Sequence, residues 1–478
     1  MKAMASLLLA LASTPFVANG DPRLARSIEA LLSRSELKRA IVGIEVRRLK
    51  DGAVLFVRDP DRYVAPASAH KLVVTAAVLD ALGPESRIRT TVESVAPMDA
   101  QGRLAGDLCL VGRGDPNLGG RVSGGRTTGV FEEMADALKA AGLRRVDGRV
   151  VGHEGLFTGD RRGSDWGWED LVWWYGAEVS ALSFNDNCAD LRIVPGSRVG
   201  DPVVLTRSPE SAYYSVVSTA TTSSPAPKSD LVLERDLSSN AIRVSGTLGL
   251  GSPAEELNVA LVDPARYAAT VLAEVLASRG ITVSGGVATS SEPLPTEARV
   301  LASHVSPPLA EMLRIMNKPS RNLHAEMLLR LLGSTVRGEG SASAGIEAEN
   351  GFLRRVGLDP DDFVLQDASG LSRLDLVTAH GLVGLLVAMD RHAQARAFRD
   401  SLPVAGVDGS LRNRLKGTPA EGHLAAKTGW RRETSSLVGY ATNRRGEDLA
   451  FAILLGNHTL PAREATSLLD RLALALVE

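Results

Sequence analysis

The two ends of this chain share one texture, and the long stretch between them has another. From Asp21 to about Ser86 the pattern runs helix, strand, strand, helix. AIVGIEVRRL alternates apolar and polar residues, Asp51-Gly52 is a turn signal, and AVLFVRD reads as the returning strand. From about 87 to 300 short alternating runs dominate, among them RTTVESVA, DLRIVPG and EELNVALV. Helical periodicity there is confined chiefly to TGVFEEMADALKAAG and PARYAATVLAEVLASRG. After about 300 helices return in PPLAEMLRIMNKPS, LHAEMLLRLLGSTVRG and the long stretch LVTAHGLVGLLVAMDRHAQARAFRDSL. HLAAKTGW, LVGYATN and LAFAILLGN read as three strands, the last two joined by a turn at Arg445-Gly446, and an amphipathic helix closes the chain. At 478 residues the chain is too long for one ordinary core. One helix-and-sheet domain interrupted by a β-rich insertion fits this pattern.

The N-terminus, MKAMASLLLALASTPFVANG, has a short positive start, an apolar run over residues 3–12 and small residues before Asp21. This is the pattern of a signal peptide over residues 1–20, and the apolar run is too short to span a bilayer comfortably. The mature protein is therefore expected to be exported, periplasmic or extracytoplasmic, with no transmembrane span. The net charge of −2 implies neither a nucleic-acid partner nor a polybasic membrane footprint. Cys109 and Cys188 are the two cysteines; export permits a disulfide between them, and two separate buried thiols fit equally well. The eight histidines form no zinc-hydrolase pattern, so neither metal nor cofactor is expected.

The chemistry centres on APASAHKLVVTAAVLDAL, residues 65–82. Ser68 and Lys71 lie one helical turn apart, on one face. The helix they open is apolar nearly all round, which marks it as buried. A desolvated lysine loses proton affinity and can serve as a base near neutral pH, and a serine within its reach becomes a candidate nucleophile. Only nine of the 54 basic residues are lysines, so a lysine in a motif is informative. S-x-x-K is weak by itself: Ser35 and Lys38 make a second copy, in RSIEALLSRSELKRA, which reads as the solvated face of an amphipathic helix. His70 lies between Ser68 and Lys71 but on another helical face. Trp166, Trp168, Trp173, Trp174 and Tyr175 form an aromatic cluster that suits a packed interface better than a glycan platform.

Two further patterns stand in suggestive settings. Ser320-Arg321-Asn322 follows Pro319 in a loop between two helices, and Lys427-Thr428-Gly429, which occurs once, lies on a strand before a hairpin. Such settings suit a serine acyl-transfer site. Together with GDLCLVGRGDPNL (106–118), DASGLS (367–372) and LPVAGVDGSLRNRLKGT (402–418), these motifs give the chain a clear family likeness. It resembles the low-molecular-mass class C penicillin-binding proteins, the D-Ala-D-Ala carboxypeptidases/endopeptidases of peptidase family S13, over nearly the whole mature chain.

The resemblance implies an α/β (α+β) fold: a transpeptidase-like domain with an antiparallel sheet between helices (21–86 and 301–478). It also implies two inserted domains, one over 87–185 and 257–300 and a β-rich one over 186–256. It implies catalytic roles for Ser68, Lys71, Ser320 and Asn322, and substrate binding by Lys427, Thr428, Gly429 and the backbone of Trp430. Peptidoglycan stem peptides and β-lactam antibiotics are the implied partners. Arg321 and Trp430 depart from the family pattern, where an aspartate and a small or hydroxyl residue are more usual. His153-Glu154 stands near a position often held by a cleft-facing aspartate and receives no role. The long gap between Ser68 and Ser320 argues against a class A β-lactamase. A non-hydrolytic penicillin-recognising sensor or wall-binding protein, or another serine β-lactamase, is the alternative.

Overall fold

The computed structural model describes residues 20–120, 125–225 and 229–478; the expected signal peptide, but for Gly20, lies outside them. Five antiparallel strands form a central sheet in the order Val54–Arg58, Ile41–Arg48, Asp448–Gly456, Thr434–Thr442, Leu424–Arg431. Period-2 alternation sends the apolar side chains of Asp448–Gly456 to both faces. Leu449, Phe451, Ile453 and Leu455 meet the helices Pro22–Leu32 and Ala462–Val477, while Ala450, Ala452 and Leu454 meet the opposite layer. That layer holds the helices Lys71–Leu82, Leu309–Asn317, Asn322–Arg337 and Ala379–Asp390. The chain ends thus make a helix–sheet–helix sandwich, the sheet between helices that the family resemblance implied. The helix Lys71–Leu82 lies inside it, with every residue from Lys71 to Leu79 buried.

Between these halves, a mixed five-stranded sheet runs Val287–Ser290, Val150–His153, Leu108–Val111, Arg89–Ser94, Arg299–Val305. Its core includes Phe131 and Phe184, stacked at 4.7 Å, and Tyr267. Two smaller three-stranded sheets and a two-stranded one, Thr221–Ser223 with Thr247–Gly249, occupy the segment 188–260 among the described residues. The boundary expected at 300/301 falls within Arg299–Val305, which pairs with Arg89–Ser94. That at 256/257 falls within Glu255–Ala260, which pairs with Cys188–Val194. Both cysteines are free thiols.

Three local expectations change. The segment around Ser35 does not continue the first helix, which ends at Leu32; Ser35–Leu37 is a separate 3-10 turn anchored by buried Leu37. The long stretch 376–402 breaks into a short strand and the helices Ala379–Asp390 and Ala395–Asp400, because the apolar stripe stops at Asp390. A helix over Ala342–Arg355, capped by Ser341 Oγ accepting from Ala344 N, escaped notice because its Gly, Ala and Glu residues dilute the apolar period.

Candidate active site

Ser68 sits in the 3-10 turn Ala67–His70, which runs directly into the helix Lys71–Leu82. The i, i+3 spacing brings Lys71 Nζ to 2.9 Å from Ser68 Oγ. Lys71 has two further partners from distant parts of the chain: Asn322 Oδ1 at 2.8 Å and the Ser369 carbonyl at 2.6 Å. Asn322 Nδ2 donates to the Tyr175 carbonyl at 2.9 Å, so its Oδ1 faces the lysine as an acceptor. A neutral amine has two N–H bonds and one lone pair. Asn322 and Ser369 take both hydrogens, which leaves the lone pair for the Ser68 hydroxyl. Burial drives Lys71 toward that neutral form. It lowers the lysine pKa to about 7 against the opposing pull of Asp367, Glu326 and Asp375.

The second hydroxyl is Ser320, which accepts from Lys427 Nζ at 2.8 Å; the same ammonium donates to the Thr428 carbonyl at 3.0 Å. Burial, followed by the charge of Lys71, holds Lys427 well below an ordinary lysine. Ser320 and Ala67, the residue before Ser68, both adopt left-handed backbone, with φ of 65° and 46°. Such non-glycine conformations cost on the order of 1–2 kcal/mol each and cluster where surrounding structure imposes them at functional sites.

The strand Leu424–Arg431 is the outer strand of the central sheet; its first residues pair with Pro403–Ala405, and the strand lies directly against the Ser68 turn. Ser436 Oγ donates to the Pro66 carbonyl at 2.7 Å. Gly429 makes the approach possible: a Cβ there would stand 2.2 Å from Ser436 Oγ and 2.5 Å from the Pro66 carbonyl. Gly429→Ala is therefore expected to push the strand off the turn. It should cost about 1–3 kcal/mol of stability and slow acylation of Ser68 at least about tenfold, since misplacement at a reacting centre is expensive. Urea unfolding and β-lactam acylation kinetics check the two effects separately.

Ser68, Ser320, Asn322, Thr428 and Trp430 open onto one cleft of about 590 Å³. Lys71 and Lys427 are fully buried behind it, hydrogen-bonded to Ser68 and Ser320. Thr428 Oγ1 is 2.7 Å from Ser410 Oγ. The structure thus gathers all eight residues singled out in the sequence. It leaves Ser35 and Lys38 on an exposed surface, with Ser35 Oγ donating to Glu36.

With this geometry in view, comparison with known proteins decides the family. The profile of the D-Ala-D-Ala carboxypeptidase 3 (S13) family matches residues 24–476. The chain belongs to this family. It is 34% identical over 471 residues to the D-alanyl-D-alanine carboxypeptidase of Actinomadura sp. (strain R39), covering 95% of this chain and 84% of that protein. It is 26% identical to the D-alanyl-D-alanine carboxypeptidase DacB of Haemophilus influenzae, covering 87% and 86%. Its fold is that of the crystal structure of penicillin binding protein 4 (dacB) from H. influenzae, with a TM-score of 0.81 at 24% identity over 94% of this chain and 98% of the other. The same protein complexed with a novel β-lactam matches at a TM-score of 0.75, with 22% identity, over 95% and 99%. As an S13 member the chain is a serine-type peptidase.

The departures from the S13 pattern find places in the structure. Arg321 turns away from the cleft to pair with Asp186 of the insertion, and its guanidinium lies 6.0 Å from the Trp174 ring centroid. Trp430 is 60% exposed, so its indole forms part of the cleft rim. The aromatic cluster divides: Trp166 packs at the interface and donates to Asp367 at 2.9 Å, Trp174 and Tyr175 line the cleft, and Trp168 is exposed. His153 and Glu154 face elsewhere, bonding to the Glu292 carbonyl and to Ser180 and Arg161. His70 is buried on the far side of the helix from Ser68, 3.9 Å from Asp375, and burial lowers its pKa to about 4, so it stays neutral. Among the described residues no group of three or more His, Cys, Asp or Glu is placed to hold a metal.

Sequence reasoning missed the scaffold behind Lys71. Glu326 Oε1 accepts from Ala368 N and Ser369 N at 3.0 and 2.9 Å, and Asp367 accepts from Gly370 N and Ser372 N, both at 2.7 Å. These carboxylates hold the loop that aims the Ser369 carbonyl at Lys71. A glutamate inside the apolar run LHAEMLLRLL was the available signal, by the same logic that picked out Lys71. Beside them, burial and the Asp367 charge push Asp375 up to about 10, so it is protonated at neutral pH. Its unfolded value is 3.8, so between these values the folded protein holds a proton that the unfolded chain releases. Stability is therefore withdrawn as pH rises. Asp375→Asn keeps the acceptor for Gln366 N and removes the titration. Its urea midpoint is expected to gain on wild type steadily from about pH 5 to about pH 9. A constant difference across that range would show that Asp375 does not hold its proton.

Proposed function

We propose that this S13 enzyme hydrolyses D-Ala-D-Ala termini of peptidoglycan stem peptides through an acyl-enzyme on Ser68, and cleaves D-amino-acid cross-links by the same chemistry. The observation that carries this reading is that buried Lys71 Nζ lies 2.9 Å from Ser68 Oγ while Asn322 Oδ1 and the Ser369 carbonyl accept two of its hydrogens. Lys71 takes the hydroxyl proton as Ser68 Oγ bonds to the carbonyl carbon. Backbone N–H groups of Ser68 and Trp430 receive the oxyanion. As the C–N bond breaks, Ser320 hands a proton to the leaving amine and is resupplied through the neighbouring lysines. Water then attacks the ester, with Lys71 again the base, and Ser68 recovers its proton. Lys427 and Thr428 hold the terminal carboxylate, and an extended peptide lies along the half of the edge strand that follows Ala426, beyond the residues paired with Pro403–Ala405. β-Lactams acylate the same serine, and their tethered leaving group blocks the second step. The protein acts outside the cytoplasm, as its N-terminal pattern and substrate require.

The test is D-Ala release from a short peptide ending in D-Ala-D-Ala, beside the intact mass of the protein after penicillin. Free D-Ala and a persistent one-to-one adduct are expected. An adduct without D-Ala release would make the protein a sensor, and rapid penicillin turnover without an adduct would make it a β-lactamase.

A further inference from the structure

Trp430 walls two cavities. One is the catalytic cleft; the other is a groove of about 710 Å³ between the loop 413–418 and the N-terminal half of the helix Ala462–Val477. Lys416, Arg463 and Arg471 line this groove, are exposed, and form no ion pair with a carboxylate of the described residues. Its only acidic side chain, Asp470, is taken by Arg414 at 2.9 and 2.7 Å. The groove therefore presents three uncompensated positive charges on the other side of Trp430 from the catalytic cleft. In the proposed pose the carboxylate of the leaving residue meets Thr428, which contacts Ser410 at the start of the segment that leads into this loop. A substrate that continues beyond the leaving amine runs past Trp430 into the groove.

We infer that this groove binds the second, acidic stem peptide of a cross-linked dimer, on the leaving-group side of the scissile bond. The inference rests on the function proposed above. A stem peptide carries free carboxylates along its length, which match the groove in charge, and an indole offers its face to the peptide backbone between them. A substrate that ends at the leaving D-Ala is too short to reach it.

The test compares wild type with the triple variant Lys416→Ala/Arg463→Ala/Arg471→Ala on two glycan-free substrates. One is a single stem peptide ending in D-Ala-D-Ala, and the other is a peptide dimer cross-linked through D-Ala. The variant is expected to lose about tenfold in kcat/KM on the dimer, as three screened charge contacts allow, and to match wild type on the single peptide. The wild-type advantage on the dimer should shrink as salt rises. Equal rates on the dimer, or an equal fall on both substrates, would each overturn the inference. If wild type releases D-Ala from the single peptide but leaves the dimer intact, the groove reading fails alone. If it cleaves neither, the proposed function fails first.

Discussion

Ser68→Ala is expected to abolish the penicillin adduct and to lower D-Ala release by on the order of 10⁴–10⁶. The Ser68 hydroxyl is half-buried at the mouth of the cleft, so its loss opens no core cavity. Unfolding stability should stay within about 1 kcal/mol of wild type. The residual rate reports what positioning alone contributes without a nucleophile. Intact mass settles the point quickly: a single adduct on wild type and none on the variant. An adduct that survives Ser68→Ala, or one lost instead in Ser35→Ala, would move the nucleophile elsewhere.

Lys71→Ala is expected to slow acylation by about 10²–10⁴, the usual worth of a positioned general base. The pH profile separates this role from simple packing. Burial brings Lys71 to about 7, and only its deprotonated form can accept the Ser68 proton. The wild-type acylation constant should therefore rise tenfold per unit below about pH 7 and level off above it, and that limb should vanish in Lys71→Ala. Asn322→Ala offers a companion result. It removes one of the two acceptors that occupy the amine hydrogens, so acylation should fall while Ser68 remains the site of modification. A wild-type rate in Lys71→Ala would exclude it as the base.

Much of the fold was legible because it follows local rules. Alternation in IVGIEVRR and the apolar run LAFAILLG marked strands, and the change of texture near residues 87 and 300 marked the stretch that forms the second set of sheets. What escaped had weak local signals. The helix Ala342–Arg355 has too diluted an apolar stripe, and the break after Asp390 is masked by the helix-forming Ala, Gln and Arg residues that follow it. The Glu326–Asp367–Asp375 cluster lay unread because its members stand as much as 49 positions apart, and only the closed structure brings them behind one lysine.

The spacing Ser68-x-x-Lys71 determined by itself that the two side chains share a helical face, and the apolar helix behind them determined that the lysine is buried. The same spacing at Ser35 and Lys38 leads nowhere, because the residues around it are charged rather than apolar and leave it in solvent. Proton affinity depends on desolvation and on hydrogen-bond partners, and those come from across the chain. Ser369 reaches Lys71 over 298 positions and Asn322 over 251. Local sequence places a hydroxyl beside an amine; the fold strips water from that amine and gives two of its hydrogens acceptors, which lowers its proton affinity and suits it to the base role proposed above.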